Sequence, residues 1–205
     1  KEAEDVDVDI KIGISRGEIL DIIHEYDALI VRSVIKVDQE LLSKGKKLKI
    51  VGRAGNGTDN IDIPEATNYG VIVANTPDSN TVSACELTIG LMLSSARNII
   101  EANNYIKTGK WEREKFVGSE LFEKTLGIIG LGRIGGLVAR RMKAFGMNLI
   151  AYDPYISDER FRRYSCEKIE TLDELLEKSD IITIHTPKTS ETLNMINFDN
   201  LSKMK

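Results

Sequence analysis

The chain has 205 residues, and 28 lysines and arginines stand against 32 aspartates and glutamates, so its formal net charge is −4. Hydrophobic residues make up 41% and charged residues 29%, close to globular averages, which excludes a disordered or fibrous chain. The acidic balance argues against a nucleic-acid-binding surface, and every apolar stretch is far shorter than the ~18 residues of a membrane span. No basic-then-apolar leader follows Lys1. We therefore expect one large domain or two small ones, with neither nucleic acid nor membrane as a partner.

The two cysteines, Cys85 and Cys166, indicate the redox setting of the chain. Two thiols in a chain of this length are typical of reduced cysteines in a cytoplasmic protein, not of a disulfide scaffold. Cys85 lies in an apolar run with helical spacing, which favours a small core residue. No residue is assigned to a metal.

Short apolar runs divide residues 1–77 into alternating strands and helices. Strands are predicted at 6–10, 28–31, 48–51 and 71–74, and helices around 19–23, 37–42 and 63–66. Asp38 is a candidate N-cap of the second helix. The turn residues Thr76-Pro77-Asp78 mark the predicted domain boundary, which separates residues 1–77 from residues 78–205.

A long apolar pattern of helical spacing follows from Thr81 to about Ile106. Apolar residues occupy more than one side of it between Leu87 and Leu93, which is typical of a helix buried in a core or at a subunit interface. We therefore expect a homodimer or a higher homo-oligomer. Residues 107–124 are polar around the single Trp111 and are predicted to form a surface excursion.

The most informative segment is a strand–turn–helix–strand unit. A predicted buried strand (125–129) leads directly into a glycine-rich turn (130–135), a helix (136–145) and a second strand (148–152). The turn has the pattern Gly-x-Gly-x-x-Gly, and the whole unit spans about 30 residues, as a dinucleotide site requires. The context makes the pattern far more specific than the glycines alone.

Each glycine of this turn has a physical role in a dinucleotide site. Gly130 permits the tight turn, Gly132 lets the backbone approach a pyrophosphate, and Gly135 lets the helix pack close to the strand. Free N–H groups and the dipole at the helix N-terminus then favour an anion. Arg133 is a further candidate phosphate contact.

Asp153 ends the second strand, where a carboxylate can accept hydrogen bonds from the adenosine ribose. Because a carboxylate there repels a 2′-phosphate, the sequence favours NAD over NADP. Arg160, Arg162 and Arg163 follow, and arginines near this point can hold a 2′-phosphate. With Asp153 present we interpret them instead as a solvated charged face.

Several motifs together resemble the D-2-hydroxyacid dehydrogenases. They are Gly52 to Asp62, Asn75-Thr76-Pro77, Gly127 to Gly135, Tyr152-Asp153-Pro154 and His185-Thr186-Pro187. Some segments are similar to the D-3-phosphoglycerate dehydrogenase branch of this family. They are Gly109 to Arg113, Lys115-Phe116, Val31-Arg32-Ser33 and Gly52-Arg53-Ala54. The resemblance covers nearly all of the chain, with the motifs in the family's order.

The resemblance implies an α/β fold of two Rossmann-like domains, with parallel sheets flanked by helices and a cleft between the domains. Residues 1–77 would be a partial substrate-binding domain of flavodoxin-like type, and residues 78–205 a partial NAD-binding Rossmann domain. The implied reaction is NAD-dependent oxidation of D-3-phosphoglycerate to 3-phosphohydroxypyruvate, the entry to serine biosynthesis. Only three strands are predicted in a cofactor domain that has about six, so we expect that domain to be incomplete and the chain to be a fragment truncated at both ends.

The resemblance also assigns site residues by position. The cofactor set is Gly130, Gly132, Arg133, Ile134 and Gly135 at the pyrophosphate, Asp153 at the adenine ribose, Thr186 and Pro187 along the cleft, and Asn56 at the nicotinamide end. The substrate set is Arg32 and Arg53 for the anionic groups, with the backbone N–H groups of Gly55 and Asn56 for the carboxylate. An inter-domain salt bridge is the alternative role of the two arginines.

The resemblance places no catalytic residue in this chain. In the family a histidine tuned by a glutamate is the base and an arginine polarises the carbonyl, and all three follow the third strand of the cofactor domain. His185 is interpreted as core or cleft lining and His24 as a surface or packing residue. The alternatives are another D-2-hydroxyacid reductase acting on glyoxylate or hydroxypyruvate, an inactive NAD-binding or dimerisation fragment, and an acid-rich interaction protein without a ligand.

Overall fold

The computed structural model describes residues 5–205, and the chain divides into two compact units. The first unit runs to Pro77 and the second comprises Asp78–Lys205. Each unit alternates helices with parallel strands, which confirms the predicted α/β class. Within the described residues, no helix is long and apolar enough to cross a membrane.

The first unit is a three-stranded parallel sheet with helical connections. Its elements are α1 (Arg16–Ile22), β1 (Ala28–Val31), α2 (Gln39–Lys44), β2 (Ile50–Arg53), α3 (Ile63–Asn68) and β3 (Ile72–Asn75). The strand order is β1-β2-β3. Asp38 begins α2 by accepting the Leu41 N–H at 3.2 Å, so the predicted N-cap is confirmed. The core of the unit lies around Val31, Leu41 and Val51, all buried.

The strand predicted at 6–10 is wrong. These residues belong to no strand, and Val6, Val8 and Ile10 are all exposed. Alternation of apolar and polar residues makes a strand only where a neighbouring strand takes up its backbone N–H and C=O groups. Within the described residues of this unit, no ladder partner lies beside 6–10.

The second unit is a four-stranded parallel sheet with helices. Its elements are α4 (Thr81–Ala96), α5 (Ile99–Ile106), β4 (Thr125–Ile129), α6 (Arg133–Ala144), β5 (Asn148–Tyr152), α7 (Asp158–Tyr164), β6 (Glu167–Lys168), α8 (Leu172–Lys178), β7 (Ile181–Ile184) and α9 (Phe198–Leu201). The strand order is β6-β5-β4-β7. The strand β4 lies inside the sheet, and its Leu126, Ile128 and Ile129 are fully buried. The two-residue β6 was not among the three predicted strands, because neither Glu167 nor Lys168 is typical of a strand.

The single helix predicted over 81–106 is two helices. Asn98 has a φ of 52°, in the left-handed region, and separates α4 from α5. Asparagine adopts this conformation more readily than most residues, and the Asn98 side chain donates to the Val117 carbonyl at 3.3 Å. Burial is one-sided in α4: Cys85 is fully buried, whereas Leu87 and Leu91 are 63% and 59% exposed.

Candidate dinucleotide site and substrate loop

Glycine is required at two positions of the turn between β4 and α6. Gly130 has a φ of +87°, and a Cβ there would lie 2.8 Å from the His185 carbonyl oxygen. A Cβ on Gly135 would lie 2.1 Å from the Gly130 carbonyl oxygen. The first turn of α6 therefore packs directly on the glycine turn. A Cβ on Gly132, the N-cap of α6, would meet no atom within 4 Å.

A cavity of about 590 Å³ lies beside this turn. Its wall includes Gly130, Gly132, Asp153, Thr186 and Pro187, all predicted cofactor residues. It lies at the carboxyl ends of β4, β5 and β7. The strand order reverses at β4, because the chain adds β5 on one side of β4 and β7 on the other. Ligands of open α/β sheets bind at such a switch point.

Of the other predicted cofactor residues, Arg133, Ile134 and Gly135 form the first turn of α6 and do not line the cavity. The Arg133 side chain is exposed, and its Nε lies 3.0 Å from Asp78 Oδ1. A phosphate contact by Arg133 would therefore compete with this ion pair. Asn56 lies in the first unit.

The Asp153 carboxylate is held by two backbone amides. Its Oδ2 accepts the Leu131 N–H at 2.9 Å, and its Oδ1 accepts the Tyr155 N–H at 3.1 Å. A carboxylate has about four acceptor sites, so the fixed group retains capacity for the two hydroxyls of a ribose. The turn, the cavity and this oriented carboxylate together fit an NAD molecule.

The structure differs from the prediction at Arg160. Its side chain is not part of a solvated face: Arg160 Nε donates to the Leu131 carbonyl at 2.7 Å, and the residue is half-buried. Arg162 and Arg163 are exposed. No local pattern in the sequence links positions 131 and 160, so this contact was missed.

His185 lines the cavity, as predicted. Its backbone N–H donates to the Ile129 carbonyl at 2.8 Å, and its Nε2 lies 2.8 Å from Thr183 Oγ1. Burial lowers the pKa of His185, which favours the neutral imidazole. His24 is exposed.

The predicted substrate residues lie at the carboxyl ends of the strands in the first unit. Arg32 follows β1, Arg53 ends β2, and Asn75 ends β3 beside Arg53. A Cβ on Gly55 would lie 1.9 Å from Arg53 Nη1, so the guanidinium lies directly against this glycine. The Asn56 carbonyl accepts the Asn75 side-chain amide at 2.7 Å. Within residues 5–77, neither Arg32 nor Arg53 makes an ion pair with an acidic side chain.

Asn60 forms hydrogen bonds with both arginines at these strand ends, and the sequence analysis did not single it out. It is 9% exposed, and its amide nitrogen donates to the carbonyls of Arg32 at 2.8 Å and Ile35 at 2.6 Å. Its Oδ1 accepts the Arg53 Nε–H at 3.0 Å. One buried amide therefore joins the backbone of one candidate substrate arginine to the side chain of the other.

The second unit thus defines a dinucleotide-binding α/β protein of the doubly wound class. Residues 89–205, more than half of the chain, match the family profile described as D-isomer specific 2-hydroxyacid dehydrogenase, NAD binding domain. The chain therefore belongs to the D-isomer specific 2-hydroxyacid dehydrogenase family, and NAD is the cofactor of this domain. The predicted family and cofactor are confirmed.

Curated relatives that match nearly the whole of this chain share one enzyme name. The chain is 50% identical over 198 residues to D-3-phosphoglycerate dehydrogenase from Synechocystis sp., covering 97% of this chain and 36% of the relative. It is 47% identical to the enzyme of the same name from Methanocaldococcus jannaschii, over 97% of this chain and 38% of the relative. The chain spans about a third of the length of these curated relatives.

Solved structures give the same picture of the fold. The NAD⁺-bound 3-phosphoglycerate dehydrogenase of Entamoeba histolytica matches with a TM-score of 0.78 and 34% identity, covering 96% of this chain and 58% of that one. The D-lactate dehydrogenase of Aquifex aeolicus, complexed with NAD and lactic acid, matches with a TM-score of 0.84 and 32% identity, over 91% and 56%. The predicted Rossmann-type architecture is confirmed by these neighbours.

Proposed function

We propose that this chain is part of an enzyme that oxidises D-3-phosphoglycerate to 3-phosphohydroxypyruvate with NAD. Residues 1–77 would bind the substrate and residues 78–205 the cofactor. The observation that carries the proposal is the pair of arginines at neighbouring strand ends, Arg32 and Arg53, beside the loop at Gly55 and Asn56. Relatives at 46–50% identity that are named D-3-phosphoglycerate dehydrogenase support it.

The chemistry of these side chains suits a phosphorylated hydroxy acid. Guanidinium groups match phosphate oxygens with paired N–H donors, and they stay charged at every physiological pH. Arg53 is held in place by Asn60 Oδ1 and by its own contact with the Ala54 carbonyl at 3.3 Å. The backbone N–H groups of Gly55 and Asn56 are proposed to receive the substrate carboxylate.

On the cofactor side, we assign the pyrophosphate to the glycine turn and the adenine ribose to Asp153. Bound NAD supplies the acceptor for the hydride that leaves C2 of the hydroxy acid. Thr186 and Pro187 are proposed to line the rest of the dinucleotide path, and Asn56 its nicotinamide end. The base that takes the hydroxyl proton and the cation that polarises the carbonyl are assigned to residues outside this chain.

The test is substrate choice in the whole enzyme. If phosphate is recognised, Arg32→Ala and Arg53→Ala each raise KM for D-3-phosphoglycerate at least about tenfold, because each removes a charge-assisted bond worth about 1.5–3 kcal/mol. Lys46→Ala, an exposed lysine of the same unit, is the matched control and leaves KM unchanged. An unchanged KM in both arginine variants, with turnover of glyoxylate or hydroxypyruvate, would instead favour the alternative reductase.

We further propose a homodimer formed through α4 and α5. Leu87 and Leu91 of α4 and Ile100 of α5 are large apolar residues that are each more than half exposed. Exposed apolar patches mark interaction surfaces, and we infer that these residues belong to one. Leu87→Glu is expected to halve the mass in sedimentation analysis, whereas Glu86→Gln, the exposed neighbour on the same helix, is expected to keep it. A monomeric wild type at micromolar concentration would overturn this proposal.

We also propose a cytoplasmic location. Cys85 and Cys166 are both free and both buried. Free thiols are typical of proteins in reducing compartments. Fusion of the whole protein to a fluorescent reporter tests the location directly.

A further inference from the structure

The residue between the first two glycines of the turn is fixed from both sides. The Leu131 N–H donates to Asp153 Oδ2 at 2.9 Å, and the Leu131 carbonyl accepts from Arg160 Nε at 2.7 Å. Leu131 is itself fully buried in the core of the unit. The two peptide groups that flank Leu131 are therefore both held by side chains from the far end of β5 and from α7.

The second of these peptides carries the N–H of Gly132. In a planar trans peptide the C=O and N–H point in opposite directions. Because Arg160 draws the Leu131 carbonyl toward itself, the Gly132 N–H is directed the other way. Gly132 lines the cavity, and within the second unit no protein acceptor takes up its N–H.

Arg160 is well supported for this role. Its guanidinium carbon lies 5.6 Å from the ring centroid of Tyr164, one helical turn further along α7. Tyr164 in turn packs on α6, because a Cβ on Gly136 would lie 2.4 Å from Tyr164 Cζ. Arg160 is half-buried, so water competes less for its hydrogen bond to the Leu131 carbonyl than it would at the surface. Arg160, Tyr164 and Gly136 thus connect α7 to the first turn of α6.

We propose that Arg160 is a positioning residue for NAD: it orients the peptide between Leu131 and Gly132 so that the Gly132 N–H faces the pyrophosphate. It acts through this backbone group and does not contact the cofactor. This role needs no 2′-phosphate, which NAD lacks. It does not depend on which hydroxy acid the enzyme oxidises.

The test is a fluorescence titration of NADH with Arg160→Met and Arg160→Lys. The methionine side chain extends about as far as the arginine Nε but cannot donate a hydrogen bond, whereas the lysine ammonium can still reach the carbonyl. Arg160→Met is expected to weaken NADH binding about tenfold, and Arg160→Lys is expected to recover most of that loss. Arg162→Ala removes the same charge from the exposed face of the same helix and is expected to leave binding within about twofold.

Two further measurements separate positioning from direct contact or simple packing. The ratio of the Arg160→Met and wild-type dissociation constants is expected to stay constant from about 50 to 300 mM salt, because no charge touches a phosphate. In the unliganded protein, the Leu131 and Gly132 amide resonances are expected to shift in Arg160→Met but not in Arg162→Ala. Wild-type NADH affinity in Arg160→Met, equal losses in the lysine and methionine variants, or a loss confined to NADPH would each overturn the proposal.

Discussion

Gly132→Ala tests whether the glycine in the turn before α6 is needed for the stability of the fold or for the close approach of the cofactor. A Cβ at this position meets no atom within 4 Å, and the φ of −71° lies outside the left-handed region that favours glycine. Alanine reduces the conformational freedom of the unfolded chain, which stabilises by about 0.4–1 kcal/mol. It is also a poorer N-cap than glycine, which costs a similar amount, on the order of 1 kcal/mol. We therefore expect the free energy of unfolding to change by less than about 1 kcal/mol.

Cofactor binding is expected to respond very differently to the same methyl group. Gly132 lines the cavity, so the added methyl lies where the pyrophosphate would approach the backbone. Loss of one or two hydrogen bonds to a charged group removes about 1.5–3 kcal/mol each. Since about 1.4 kcal/mol is a factor of ten, NADH affinity is expected to fall at least tenfold. Urea unfolding and NADH fluorescence titration on the same preparation measure both quantities.

Gly135→Ala is the matched contrast. A Cβ there would lie 2.1 Å from the Gly130 carbonyl oxygen and 3.3 Å from Ile128 Cγ2, so backbone atoms have to move. Such overpacking costs about 1–3 kcal/mol or more, and this variant is expected to lose stability as well as binding. Wild-type NADH affinity in Gly132→Ala, or a loss of stability as large as that of Gly135→Ala, would refute the role given to Gly132.

Three further predictions follow from buried groups. Asn60→Ala removes the donor to the Arg32 and Ile35 carbonyls and the acceptor of the Arg53 Nε–H, and it is expected to lower the free energy of unfolding by about 1–3 kcal/mol in urea titration. A loss below about 0.5 kcal/mol would show that water replaces the amide. Burial raises the pKa of Cys166 to about 12. We therefore expect iodoacetamide at pH 8 to leave Cys166 unlabelled until denaturant is added. Labelling of Cys166 in the folded chain at the rate of a free thiol would contradict this. Because burial lowers the pKa of His185, the unfolded state takes up a proton first as pH falls below about 6.5, and the stability of wild type should fall relative to His185→Gln between pH 7 and pH 5; parallel pH profiles would contradict it.

Local patterns predicted the part of the fold that depends on local chemistry. The strand, glycine turn, helix and second strand around Gly130–Gly135 were all recognised, because each is signalled by residues adjacent in the sequence. The same holds for the cap at Asp38, whose carboxylate needs only the N–H three residues later. The family and its cofactor followed from these motifs and their order.

What the sequence did not predict depends on contacts between distant residues. The break at Asn98 is stabilised by the Val117 carbonyl, and the strand β6 exists because β5 lies beside it. Arg160 and Asn60 are the main omissions at the candidate sites, and their partners lie up to 29 residues away. Polar side chains of this kind give no periodic signal, so their roles emerge only once the chain is folded.

The two edges of the four-stranded sheet differ in their tendency to pair with other strands. At one edge, β6 has only two residues, and Lys168 forms ion pairs at 3.1 Å with both Asp158 and Glu170. Short, charged edges discourage intermolecular pairing. At the other edge, β7 is twice as long and its Ile184 is 50% exposed. Strand addition, whether by a further strand of the same domain or by another molecule, is therefore directed to the β7 side.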